Sequence, residues 1–113
     1  MAAADPDAWG LEREVGASPA EFLRCLRQAA PVPVESVAPD RYRLVRGDVE
    51  LSLTVRPLAE RRIAGLALPV IRVSFRFLGD RAAGEALLAS LDAGMQRGGG
   101  WPDASDRDQG AVR

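Results

Sequence analysis

Residues 41–56 read RYRLVRGDVELSLTVR, two runs of alternating apolar and polar residues on either side of Gly47-Asp48. A Gly-containing two-residue turn between alternating runs is a β-hairpin signal. Closing the turn with Arg46 opposite Val49 sets Leu44 against Leu51 and Tyr42 against Leu53. Those four side chains share one face, while Arg43 with Ser52, and Arg41 with Thr54, share the other. A slip of one residue would send every apolar side chain to the wrong face, so the agreement of both strands fixes the register.

The next stretch, RPLAERRIAGLALPVIRVSFRFLGD, extends this pattern. With Pro57 to Glu60 as a turn, Arg61 falls opposite Arg56. Ala64, Leu66 and Leu68 then lie behind Leu53, Leu51 and Val49. A second turn at Pro69-Val70 brings Ile71, Val73 and Phe75 against Leu68, Leu66 and Ala64. The result is a four-stranded antiparallel meander with one apolar face.

Helices flank the meander. Ser18, Pro19 and Glu21 supply an N-cap, a first-turn proline and the closing member of a capping box. Phe22, Leu23, Leu26, Ala29 and Ala30 follow at helical spacing until Pro31 and Pro33 end the run. Cys25 sits beside this stripe and reads as a small buried hydrophobe. A second helix starts near Asp80, carries Leu87, Leu88, Leu91 and Met95, and ends at Gln96-Arg97; Gly84 and Gly94 weaken it. Laying both apolar stripes on the apolar sheet face gives an α+β, two-layer sandwich: helix, four-stranded meander, helix. The expected division is a loose lead-in over 1–17, where Trp9, Leu11 and Val15 could dock, a single domain over 18–97, and a flexible tail over 98–113.

The order of elements is similar to the frataxin-like arrangement, and the resemblance implies a fold only. Frataxins bind iron through an acidic ridge on the first helix and first strand. Here Glu21 stands alone on that helix beside Arg24 and Arg27, so iron binding does not carry over.

Composition removes several chemistries. The 113 residues contain no His and one Cys. The commonest general base, an internal disulfide and a cysteine metal cage are therefore absent. All 15 basic residues are Arg, which also removes Schiff-base lysines and a Walker lysine. The glycines of QRGGGWPD follow a helix, whereas a phosphate-binding loop precedes one. Gly98 therefore reads as a helix stop, with Gly99 and Gly100 leading into the tail. Asp103 and Asp106 lie in that tail with nothing to bury them. No catalytic, cofactor or metal site is expected, and the chain is read as a non-enzymatic protein. The start MAAADPDAWG lacks the pattern of a secretory signal, and no apolar run reaches the roughly 20 residues of a membrane helix. A cytoplasmic protein of bacterial look is expected.

The remaining feature is charge. The meander register places Arg41, Arg43, Arg56, Arg61, Arg72 and Arg76 on the outer sheet face, with Glu50 as the main counter-charge. On a chain of formal net charge −1 that is a local basic surface. Trp101, beyond the glycines, is a second candidate anchor. The expected function is a protein-interaction or accessory module. It binds a protein partner through the Arg face and Trp101, or binds itself through a strand edge near Tyr42 or Phe75. Backbone-directed nucleic-acid binding is the alternative, disfavoured because Phe75 and Phe77 point inward and leave no bases to stack on. A small-ligand or anion site between helices and sheet is a third reading.

Overall fold

The computed structural model describes residues 8–97 and 105–109. The elements are β1 (Ala8–Val15), α1 (Pro19–Ala29), β2 (Glu35–Ala38), β3 (Arg41–Arg46), β4 (Val49–Pro57), β5 (Arg61–Ile63), β6 (Leu66–Leu68), β7 (Ile71–Leu78), α2 (Arg81–Arg97) and β8 (Ser105–Gln109). The class is α+β, with two helices and antiparallel strands. Six strands form one sheet in the order β2-β3-β4-β7-β1-β8, and β5 with β6 forms a separate two-stranded ribbon.

The central hairpin has the expected register: Tyr42 lies opposite Leu53, Leu44 opposite Leu51, and Arg46 opposite Val49. Gly47 carries φ +60° in the turn, a conformation that glycine adopts without a steric penalty. The third strand is where sequence and structure part. β4 pairs along its length with β7, so that Leu51 meets Phe77, Leu53 meets Phe75 and Val55 meets Val73. Residues 61–68 do not fold back on β4. They turn on themselves at Ala64-Gly65, where φ is 51° and 84°. The physical reason is twofold. Ile71, Val73, Phe75 and Phe77 bring more apolar volume to the inner face than Ala64, Leu66 and Leu68 could. The Ala-Gly pair also supplies a two-residue turn inside what was read as a strand. Leu58 N–H donates to the Val70 carbonyl at 2.8 Å, so the β4–β7 ladder continues toward the ribbon. β5 and β6 form the tip of one long hairpin, referred to below as the arm.

The expected loose lead-in contains an internal strand of the sheet, one place from its edge. β1 pairs with β7 on one side and with β8 on the other. Trp9, Leu11 and Val15 are buried, and Trp9 stacks on its cross-strand partner Phe77 with ring centroids 4.2 Å apart. The pattern WGLEREV alternates, but Arg13 stands where an apolar residue belongs and masks the period. The helix–meander–helix order and a boundary at residue 18 therefore give way to a fold whose first described element is a strand. The expected self-pairing edges are also occupied, since β2 covers β3 and β1 covers β7. In the expected tail, Ser105–Gln109 pairs with β1; Gly98 to Gly100 and Trp101 lie outside the described residues.

The core is one cluster. It joins the inward residues of β1, β3, β4 and β7 to Phe22 and Leu26 of α1 and to Leu87 and Leu91 of α2. The capping box forms as read: Glu21 N–H donates to Ser18 Oγ at 3.2 Å, and Ser18 N–H donates to Glu21 Oε1 at 3.0 Å. Asp80 caps α2 by accepting from Ala83 N–H at 2.9 Å.

Candidate interaction surface

Side chains alternate along a strand, so the residues between the buried positions of β1, β3, β4 and β7 form the opposite, outer face. Arg41, Arg43, Arg56, Arg72 and Arg76 all stand there. Arg61 does not; it belongs to the arm, because residues 61–68 never join the main sheet. Trp101 lies outside the described residues.

The face is less basic than expected, for two reasons. β1 adds Glu12 and Glu14, and β2 adds Glu35, none of which the meander reading had placed beside it. Arg72 lies 3.2 Å from Glu14 and 3.9 Å from Glu12, while Ser74 Oγ donates to Glu12 at 3.3 Å. Arg43 donates from Nη2 to Glu35 Oε1 at 2.7 Å and from Nε at 3.0 Å. This hydrogen bond, together with the Coulomb attraction of the carboxylate, raises the Arg43 pKa. Arg56 lies directly opposite Arg72. Like charges so placed repel, and Glu14 on the far side of Arg72 offsets that repulsion.

Three cations are left over. Arg41, Arg56 and Arg76 are exposed and form no ion pair among the described residues. Between them the sheet presents small side chains: Ser52, Thr54 and Ser74, with Gly10 opposite Arg76. Gly10 is required there, because a Cβ would stand 2.3 Å from the Phe75 carbonyl oxygen. The face thus carries carboxylates on β1, β2 and β4 and exposed arginines on β3, β4 and β7.

The arm is the second exposed feature; the meander register would bury its Leu66 and Leu68. Ile63 lies opposite Leu66, and Arg61 opposite Leu68, so Ile63, Leu66 and Leu68 share one face of the ribbon with Arg61 at its inner end. They are 50%, 65% and 40% exposed. Three large apolar side chains on one face of a two-stranded ribbon form a patch, which isolated surface leucines do not.

A partly buried ion pair lies on the other side of the sheet. Arg13 points inward from β1, and its guanidinium donates to both carboxylate oxygens of Asp92 on α2, at 2.8 and 3.3 Å. It also sits over the Phe75 ring, 5.3 Å from the centroid. This pair ties helix to sheet. Among the described residues, no group of three or more His, Cys, Asp or Glu is placed to hold a metal ion. No helix among them is long and apolar enough to cross a membrane. Compared with family models, curated proteins and solved structures, the chain matches none of them.

Proposed function

We propose that the protein is a non-catalytic protein-binding module that acts in the cytoplasm without a cofactor. In this reading α1 and α2 form one layer on the apolar side of the sheet, and the outer face docks an acidic segment of a protein partner. One observation carries the reading: Arg41, Arg56 and Arg76 stand exposed with no ion pair among the described residues, on a face where Arg43 and Arg72 are paired with carboxylates. Such guanidiniums offer forked donors to carboxylates, and their spacing over small Ser and Thr side chains lets a partner chain approach the sheet. Glu12 and Glu14 of β1 would disfavour misaligned partners by repulsion and so set orientation.

Nucleic acid fits this face less well. Among the described residues, Trp9, Tyr42, Phe75 and Phe77 are buried on the inner side, so none of them offers bases a stacking platform on the outer face. The discriminating experiment is a fluorescence-anisotropy titration with labelled single-stranded RNA and duplex DNA at low and high salt. The protein-binding reading expects no saturable binding at low salt. Tight binding that falls steeply with salt would replace it with the nucleic-acid reading.

A further inference from the structure

We infer that the arm is a self-association device: strand β6 of one copy pairs antiparallel with β6 of a second copy, about a two-fold axis at Ala67. The surface differs from the Arg face and does not depend on it.

The hydrogen-bond pattern of the hairpin supplies the first reason. In a two-residue hairpin the residues flanking the turn exchange hydrogen bonds, and the next pair outward does not. Ile63 and Leu66 flank the Ala64-Gly65 turn, and Arg62 lies opposite Ala67. The N–H and C=O of Ala67 therefore point away from β5, into the open edge. Residues Arg62 to Pro69 are exposed throughout, so no described element covers that edge.

Charge decides which edge is used. The β5 edge carries Arg61 and Arg62, and pairing two such edges would bring like charges together. The β6 edge reads Leu66-Ala67-Leu68 and carries no charge. Proteins normally blunt exposed edges with charges or bulges. The β2 edge has a register shift between Ser36 and Ala38, and the β8 sequence SDRDQ is charged. β6 has neither a charge nor a bulge, and is limited only by its three-residue length and the Pro69 that follows it.

The sequence of β6 is also its own mirror about Ala67. A two-fold there sets Ala67 against Ala67 of the second copy, with two reciprocal N–H···O=C bonds. Leu66 falls opposite Leu68 of the second copy, and the reverse pair follows by symmetry. The arginines of β5 end on the outer margins of a four-stranded ribbon, as far apart as that ribbon permits. Both copies present Ile63, Leu66 and Leu68 to the same side, doubling the apolar face. Two short strands bury far less than the roughly 800 Å² per partner of a standard interface, so the dimer is weak and concentration-dependent.

The test is sedimentation velocity on the full chain from about 10 µM to about 1 mM. Hydrogen exchange is measured at both ends of that range. The wild type should pass from monomer to dimer, and the Ala67 amide should gain protection on the way. Ala67→Pro removes the outward N–H without touching a β5–β6 bond, and should raise the dimer Kd about tenfold or more. Continued protection of the Ile63 amide would show that its arm is intact. Ala64→Asn suits the positive φ of the turn and should tighten the dimer several-fold. A chain that stays monomeric throughout, a dimer indifferent to Ala67→Pro, or an Ala67 amide whose exchange ignores concentration would each overturn the inference.

Discussion

Gly94 of α2 lies against Ala29 of α1 so closely that a Cβ built on it would stand 2.3 Å from the Ala29 carbonyl oxygen and 2.9 Å from its Cα. The two helices touch backbone to backbone at this point. Helix propensity alone says that Gly94→Ala should stabilise α2 by about 1 kcal/mol. The contact says the reverse, since the obstructing atoms are main chain and cannot swing aside. Gly94→Ala should lower stability by about 1–3 kcal/mol, the range for overpacking. Urea unfolding reads the sign directly, and a gain in stability would disprove the close crossing.

The Arg13–Asp92 pair is asymmetric in burial. The Arg13 side chain is 5% exposed and that of Asp92 36%. Removing the carboxylate deprives a buried guanidinium of this partner, whereas removing the guanidinium leaves an acid that water already reaches. Asp92→Ala should therefore cost about 2 kcal/mol, discounted from the fully buried case for that exposure. Arg13→Met, which keeps the apolar stem, should cost less. Equal losses in denaturant titrations would show that burial does not set the difference.

The α1 cap makes a pH prediction. The backbone N–H of Ser18 and then its side chain hold the Glu21 carboxyl below its ordinary pKa of 4.5. A carboxyl whose pKa is depressed by folding contributes its stability above the unfolded value and loses it as pH falls through the folded value. Stability should thus decline on acidification below about pH 4.5, with this cap as one contributor. Ser18→Ala should cost about 1 kcal/mol at neutral pH and should flatten that acid-side decline. Thermal unfolding of both proteins between neutral and acid pH checks it; parallel pH curves would remove the cap from the account.

What could be read ahead of the structure followed from local chemistry. The Gly47-Asp48 hairpin, the Ser18 box and the Asp80 cap each depend on residues within a few positions, and each formed as expected. The errors were of pairing across distance. β7 and residues 61–68 both offered an apolar face to β4, and one-dimensional pattern does not weigh Phe75 and Phe77 against Ala64. Ala64-Gly65 did carry a turn signal, but it lay inside a segment already assigned as a strand. β1 was hidden by Arg13, whose partner Asp92 lies 79 residues away. That one omission also concealed Glu12 and Glu14, and so overstated the charge of the outer face. Gly84 and Gly94 looked like helix flaws because their spatial neighbours, Trp9 with Phe77 and Ala29, were unseen.

The outer face should tolerate charge reversal without loss of fold. Arg41 and Arg76 are exposed, and neither forms an ion pair among the described residues. The double variant Arg41→Glu/Arg76→Glu should keep its stability within about 0.5 kcal/mol per site. A collapse in thermal unfolding would show that these arginines hold the sheet together and are not spare for binding.

The central claim is that these spare arginines recognise a protein. The most direct measurement is affinity capture from nuclease-treated extract with the wild type and the Arg41→Glu/Arg76→Glu variant in parallel, read by quantitative mass spectrometry. The account predicts at least one protein retained by the wild type and lost from the folded variant. Identical captured sets from the two proteins would contradict it.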